Sequence, residues 1–294
     1  MKKYLYSNKG KPIKIVGISS SKRSKNECAK QDPISLGLLK KALKYAEKKG
    51  AKTSLIDLRN LEINPCNECY STNPAQCRFN EKNFQCDCYP FKEKHFYYKG
   101  KFLPIIKAYD EMTKDEFIET HTEKYLTGKK DDMWIIYKEL MEADGIIIAN
   151  STQFYSRPTL LQSMISRLCA VDGGVQELWG DGKNLGNSIK HSLREKTMYK
   201  QRLYGKWCAF INSSKEGDMV TPNLMKAFSM MGLKIIPFGS AYHVNWYYDK
   251  THRKDYENAS KDEHTESLLK HMGEEMVELI KESKREYGTH SKIV

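Results

Sequence analysis

Short β-branched runs alternate with amphipathic segments along most of this 294-residue chain, and this alternation constrains the fold more than any other feature. Lys14–Ser19 and Lys52–Asp57 have the pattern of strands, and the segment between them repeats leucine and alanine at helical spacing before Gly50. We expect Asp32 to cap this helix and Pro33 to lie in its first turn. Because each pair of neighbouring parallel strands needs such a crossover, the pattern predicts an α/β chain built on a parallel sheet.

The same alternation continues through the second half of the chain. The predicted elements are helix 132–143, strand 145–150, helix 158–169, strand 206–212, helix 222–231, strand 233–240 and a final amphipathic helix 263–285. Strand 145–150 is apolar at nearly every position, which is typical of a strand buried on both faces. We expect a single domain over 1–294, interrupted by insertions at about 60–130 and 172–205.

Composition excludes several classes of protein. With 39% hydrophobic and 29% charged residues, the chain is neither collagen-like nor wholly disordered. Its longest apolar runs, 133–137 and 207–211, are far shorter than the roughly 18 to 20 residues of a membrane span, and the N-terminus has no export signal. The formal charge is +12, but the lysines are dispersed and no nucleic-acid-binding motif accompanies them. We therefore expect a cytoplasmic globular protein that binds neither nucleic acid nor membrane.

Three loops follow the carboxyl ends of the predicted strands, where open parallel sheets bind their ligands. Loop 19–31 offers serine hydroxyls and cations ahead of a helix N-terminus, which is typical of phosphate binding, although a flexible polar loop is the alternative. Loop 150–158 places Phe154 and Tyr155 among polar residues, and loop 212–221 is small and polar. Packing or a turn would also account for the two aromatics. Together, the three loops predict a site for a phosphate and a planar ring.

The first strand and its loop resemble the NADPH-dependent FMN reductase family of flavodoxin-like proteins, whose pattern there is KIxGISGSPR. Residues 14–23 read KIVGISSSKR, so that Ser19, Ser21 and Arg23 coincide with the family pattern. Residues 131–147 match a family stretch DDMxxIYxxLxxADGII, and residues 150–167 match a pattern TPVYWYSxP followed by LKxxIDR in part. The resemblance extends from strand 14–19 to about residue 240 and is weakest in the two insertions.

This resemblance implies a flavodoxin-like, doubly wound sheet of five parallel strands in the order 2-1-3-4-5 that binds FMN. It implies these cofactor-binding residues: Ser19, Ser21, Lys22, Arg23 and Ser35 at the phosphate, Thr152, Gln153, Phe154 and Tyr155 along the isoalloxazine, and Ser213, Ser214 and Gly217 on its other side. NAD(P)H would be the co-substrate, and a quinone, flavin, nitro compound or metal would be the small-molecule acceptor. The FMN would carry the chemistry, so no catalytic side chain is expected. We also expect a homodimer or homotetramer.

Five cysteines lie close together in the first insertion: Cys66, Cys69, Cys77, Cys86 and Cys88. In a chain without an export signal, such clustering indicates metal or redox chemistry more often than disulfides. Four of the five are expected to hold a [4Fe–4S] cluster, as in the iron–sulfur flavoproteins that this insertion resembles, or a zinc ion, with reduced or redox-active thiols as the alternative. An FMN electron carrier between protein partners is the alternative function, and an interaction protein without flavin is a third.

Overall fold

A five-stranded parallel sheet forms the centre of the computed structural model, which describes residues 12–26, 31–66, 68, 79–80, 84–86, 95–98, 101–104, 131–172, 202–214, 217–244 and 262–290. The strands are β1 (Lys14–Ser19), β2 (Lys52–Asp57), β3 (Gly145–Ser151), β4 (Trp207–Ser214) and β5 (Lys234–Val244). Their order is β2-β1-β3-β4-β5, and every neighbouring pair is parallel. This is the strand order of the flavodoxin-like doubly wound fold, so the predicted fold class is confirmed.

Helices cover both faces of the sheet. They are α1 (Ile34–Lys48), α2 (Met133–Glu142), α3 (Thr159–Arg167), α4 (Thr221–Met230) and α5 (Glu263–His290). Helices α1 and α5 share one buried apolar cluster with one face of the sheet, and α2, α3 and α4 share a second cluster with the other face. The central strands are apolar toward both clusters because each of their faces lies under a helix.

Two glycines allow α1 to pack closely against β1 and against α5. A Cβ on Gly17 of β1 would lie 2.7 Å from Leu43 Cδ1 of α1. A Cβ on Gly273 of α5 would lie 2.4 Å from the carbonyl oxygen of Ala42, where α5 crosses α1. The close seating of α1 against both its neighbours therefore depends on the missing side chains at these two positions.

The structure corrects the predicted start of α1. The helix begins at Ile34 after Pro33, and no side chain caps it. Asp32, the predicted cap, instead accepts a hydrogen bond from Arg59 Nη1 at 3.0 Å, so this prediction was wrong. The carboxylate gains an ion pair with a partner 27 residues away, which a local capping pattern does not reveal.

Strands β4 and β5 are longer than the sequence predicts. Their parallel pairing continues to Ser214 and Val244, after a register shift between Cys208 and Phe210. The shift accompanies an exposed Phe238 with a φ of 51° in the edge strand. Ser213 and Ser214 therefore lie on a strand rather than in the third loop.

The described parts of the first insertion contain two short antiparallel pairs. Phe79–Asn80 pairs with Gln85–Cys86, and His95–Tyr98 pairs with Lys101–Pro104. Phe79 packs edge-on against the buried Tyr137 of α2, with 5.1 Å between ring centroids. The first of the two pairs thus extends the apolar core beyond the sheet. The single domain that the sequence suggests stays a prediction.

A buried ion pair connects α3 to Asp131, which lies just before α2. Arg167 Nη1 lies 2.5 Å from Asp131 Oδ2, and both side chains are almost fully shielded from solvent. The same Nη1 donates to the carbonyl oxygen of Asn64 at 3.1 Å, and the Asn64 N–H donates to Asp131.

In the part of the chain that the structure describes, no helix has both the length and the apolar character needed to cross a membrane.

Candidate cofactor site

A cleft of about 200 Å³ lies where β1, β3 and β4 end, beside the N-terminus of α1. Six hydroxyl-bearing residues line it: Ser21, Ser35, Ser151, Thr152, Ser213 and Ser214. Arg23 and Gln153 complete its polar wall, and Pro33 and Ile34 contribute its apolar part. No carboxylate is among these lining residues. The cleft thus combines neutral donors with one cation, a composition that suits an anion.

Two buried hydroxyls, one where β1 ends and one where α1 begins, lack partners in the described structure. Ser35 lies in the first turn of α1 and is 1% exposed, yet its Oγ makes no hydrogen bond. Ser19, at the end of β1, is fully buried with the same deficit. Folded proteins rarely leave buried hydroxyls unsatisfied, because each costs about 1–3 kcal/mol. Since the first-turn N–H groups of a helix are also free and favour negative charge, this edge fits a phosphate.

The first loop directs alternate side chains to opposite sides. Ser21 and Arg23 line the cleft, and the Arg23 N–H donates to Ser21 Oγ at 3.4 Å. Lys22 and Lys25 instead line a separate groove of about 610 Å³, together with Arg59. The structure therefore brings Arg23, but not Lys22, to the predicted phosphate position. Within the described residues no carboxylate pairs with Arg23, so its guanidinium is available to a ligand.

The second loop forms a tight turn that exposes its aromatic residues. Gln153 and Ser156 exchange backbone hydrogen bonds of 2.7 and 3.0 Å. Phe154 and Tyr155, at the tip, adopt φ values of 47° and 58°, which residues other than glycine rarely adopt. They are 88% and 65% exposed, so they are turn residues and not core residues. Neither lines the cleft, but both directly follow Gln153, which does.

Asn212, near the end of β4, connects the second loop to the third. Its Nδ2 donates to Thr152 Oγ1 at 3.1 Å and to Asp218 Oδ1 at 2.7 Å. Thr152 Oγ1 donates to the carbonyl oxygen of Gly217 at 3.2 Å, and Asp218 Oδ1 accepts the Thr221 N–H at 3.0 Å. Sequence reasoning missed Asn212 and Asp218. An acidic residue shortly before a predicted helix N-terminus, where backbone N–H groups lack partners, is the signal that could have identified Asp218.

The structure describes only part of the predicted metal site. Cys66 is partly buried, and its Sγ accepts the Glu68 N–H at 3.4 Å, whereas Cys86 is buried in the core. Cys69, Cys77 and Cys88 lie outside the described residues. Among the residues that are described, no three His, Cys, Asp or Glu side chains converge as metal ligands would. The metal centre therefore stays a prediction.

The two remaining described cysteines belong to the body of the fold. Cys208 on β4 is fully buried, and burial raises the pKa of its thiol well above the usual range. Cys169, just after α3, is partly buried and packs against the same apolar cluster. Both act as small apolar groups, as their predicted places on a strand and a helix suggest.

Comparisons with known proteins show similarity at the level of the fold. No protein-family model matches this chain, and no curated protein sequence matches it either. The structure of RosB with a bound intermediate, 8-demethyl-8-formylriboflavin-5′-phosphate, is 14% identical, with a TM-score of 0.52 over 92% of this chain and 81% of that one. At this identity the similarity supports the fold alone, in agreement with the strand order.

Two further solved structures are similar with lower TM-scores. A flavone reductase is 15% identical, with a TM-score of 0.46 over 92% of this chain. This chain spans 63% of the flavone reductase, less than two thirds of its length. An azoreductase from Bacillus anthracis str. Sterne is 11% identical, with a TM-score of 0.41 over 91% of this chain and 98% of that one. The strand order and the similarity to these structures together define a flavodoxin-like α/β fold.

Proposed function

We propose that this chain is an FMN-dependent oxidoreductase that takes electrons from NAD(P)H and passes them to a small acceptor. The observation that carries the proposal is the unpartnered, buried Ser35 hydroxyl at the N-terminus of α1, in a cleft whose described lining residues include no carboxylate. RosB, a solved structure of similar fold, holds a riboflavin 5′-phosphate derivative, and this agrees with a flavin phosphate as the anion. The sequence resemblance at Ser19, Ser21 and Arg23 supports the same ligand.

The phosphate end would be held by donors from two segments, the loop after β1 and the N-terminus of α1. The hydroxyls of Ser21 and Ser35 and the first-turn N–H groups of α1 would donate to the phosphate oxygens. Arg23 would supply the positive charge, with a guanidinium that can donate two parallel hydrogen bonds. Lys22 would contribute only through its charge, because its side chain lines the neighbouring groove.

The ring would lie at the mouth of the cleft. A volume of about 200 Å³ is smaller than the roughly 300–1,000 Å³ of a pocket that encloses a drug-sized ligand, so the cleft accommodates the ribityl phosphate and leaves the ring outside. There the ring would meet Thr152, Gln153 and Gly217. Asn212 donates to Thr152, which in turn donates to the Gly217 carbonyl oxygen. The exposed rings of Phe154 and Tyr155, whose centroids are 6.0 Å apart, provide an apolar surface that can shield it from water.

When bound, FMN supplies the hydride and electron chemistry, so the chain needs no acid, base or nucleophile of its own. Its residues have three tasks: they bind the phosphate, orient the ring, and leave one ring face open to a nicotinamide and then to an acceptor. Because the rings of Phe154 and Tyr155 are exposed, they are in a position to contact that second ligand as well. A cytoplasmic location and a homodimeric or homotetrameric state are further proposals.

The test compares FMN with riboflavin, which differs by the phosphate alone. Quenching of flavin fluorescence gives both dissociation constants, and we expect FMN to bind at least about tenfold more tightly. Arg23→Ala should weaken FMN binding by roughly 10- to 150-fold and leave riboflavin binding nearly unchanged. Equal affinity of the wild type for the two flavins would contradict the phosphate assignment.

The electron donor is tested separately on the FMN-loaded protein. Under anaerobic conditions, NADPH or NADH should bleach the flavin absorption rapidly. If neither does so while a reduced ferredoxin-type protein does, the alternative function, an electron carrier between proteins, replaces the enzyme. Elemental analysis of anaerobically purified protein tests the cysteine cluster, with iron and sulfide, or zinc, expected near one site per chain.

A further inference from the structure

Arg59 lies in a short 3₁₀ turn, Leu58–Asn60, directly after β2. Asp57 Oδ1 accepts the Arg59 backbone N–H at 3.1 Å, which fixes the turn and brings the side chain back toward the same carboxylate. Arg59 Nε donates to both Asp57 oxygens at 3.0 Å, and Nη2 donates to Oδ2 at 2.6 Å. The guanidinium is therefore held rigidly at the end of β2.

The other side of the same guanidinium reaches the phosphate-binding loop and the start of α1. Arg59 Nη1 donates to the carbonyl oxygen of Arg23 at 2.7 Å and to Asp32 Oδ1 at 3.0 Å. The hydrogen bond from Arg59 holds the pKa of the Asp32 carboxyl below its usual range, so this carboxylate remains ionised and paired. One side chain, only 18% exposed, thus joins three segments that are separate in the sequence.

We propose that Arg59 is a positioning residue for the phosphate site, a role that rests on the proposed function. Arg59 does not line the cleft, and its charge is balanced by Asp57 and Asp32, so it is not itself an anion ligand. It acts through the carbonyl of Arg23 and through Asp32, three residues before Ser35. By fixing both segments, Arg59 makes the Arg23 guanidinium and the Ser35 hydroxyl converge on one phosphate before the ligand arrives.

Loss of the hydrogen bonds from Arg59 to Asp32 and to the Arg23 carbonyl should weaken the contacts with the phosphate and leave the contacts with the ring unchanged. Without these hydrogen bonds, ligand binding has to order the Arg23 and Asp32 segments, which lowers the affinity for any ligand that uses them. On the other side of the site, Asn212 donates to Thr152, Thr152 donates to the Gly217 carbonyl, and Gln153 is held by its backbone hydrogen bonds with Ser156, so the ring contacts remain. The preference for FMN over riboflavin is therefore the diagnostic quantity.

The experiment measures both dissociation constants for the wild type and for Arg59→Gln, Arg59→Lys and Asp32→Asn. Arg59→Gln should reduce the preference for FMN over riboflavin by about tenfold or more, with the riboflavin constant changed by less than about threefold. Arg59→Lys should lose most of the preference as well, because one ammonium group cannot bridge Asp57, Asp32 and the Arg23 carbonyl. Asp32→Asn removes one charged contact and should show an intermediate loss.

Each alternative outcome has a definite meaning. An unchanged preference in Arg59→Gln, full recovery in Arg59→Lys, or parallel weakening of both flavins would overturn the positioning role and leave the proposed function standing. A wild type without preference for FMN would overturn both. If Arg59→Gln does not fold, Asp32→Asn decides by the same ratio, since it keeps the Arg59–Asp57 pair and alters a carboxylate about half exposed to solvent.

Discussion

Replacing Ser35 by alanine should stabilise the ligand-free protein and weaken FMN binding at the same time. Its buried hydroxyl has no partner in the described structure, and such a group costs about 1–3 kcal/mol. Alanine removes that cost with almost no change in volume, so the free energy of unfolding of the ligand-free protein should rise by about 1 kcal/mol. The same hydroxyl would donate to the charged phosphate, a bond worth about 1.5–3 kcal/mol, so the FMN dissociation constant should rise roughly 10- to 150-fold.

Urea unfolding of ligand-free protein and fluorescence titration with FMN measure the two effects. Ser267→Ala is the control, because this serine is exposed near the start of α5 and reports what alanine contributes through helix propensity. The gain in stability of Ser35→Ala should exceed that of the control. A destabilised Ser35→Ala, or an unchanged FMN constant, would refute the reasoning that this hydroxyl awaits a ligand.

Three further predictions concern stability, each measured by urea unfolding. Gly273→Ala places a Cβ about 2.4 Å from the Ala42 carbonyl oxygen and should cost about 1–3 kcal/mol, whereas a loss below 0.5 kcal/mol (about the size of an ordinary surface substitution) would mean that α5 shifts freely. Asp131→Asn leaves the buried Arg167 charge uncompensated and should cost about 3–5 kcal/mol; a cost below about 1 kcal/mol would contradict this. Burial lowers the pKa of Lys206 to about 8. Between about pH 8 and 10.5, the unfolded chain therefore binds more protons than the folded chain, and stability rises with pH. The free energy of unfolding of the wild type should therefore rise by about 2 kcal/mol relative to that of Lys206→Met from pH 7.5 to pH 10, and a constant difference would exclude this pKa.

The architecture was predictable because its determinants are local. A β-branched run indicates each strand, and apolar residues repeated at helical spacing indicate each helix, so the order of elements along the chain can be predicted. The strand order came from the resemblance, whose matching positions lie on β1, α2 and β3. These elements pack on one another in the core, where residue identity is most constrained.

The site was predictable as a set of loops but not as a set of contacts. Arg59 binds partners 27 and 36 residues away, and nothing in the sequence near Asp57 indicates which loop its guanidinium reaches. The direction of Lys22 depends on the alternation of an extended loop, which a pattern of serines and cations does not define. The sequence presents Asn212 as one polar loop residue among several, because its role depends on the extension of β4 to Ser214 between two loops.

A crystal structure of the protein soaked or co-crystallised with FMN tests the central claim most directly. The account predicts density for the phosphate within hydrogen-bond distance of the Ser21 and Ser35 hydroxyls, with the Arg23 guanidinium beside it and the ring at the mouth of the cleft near Gln153. Density for FMN at another place on the molecule, or an FMN phosphate that leaves the Ser35 hydroxyl without a partner, would contradict it.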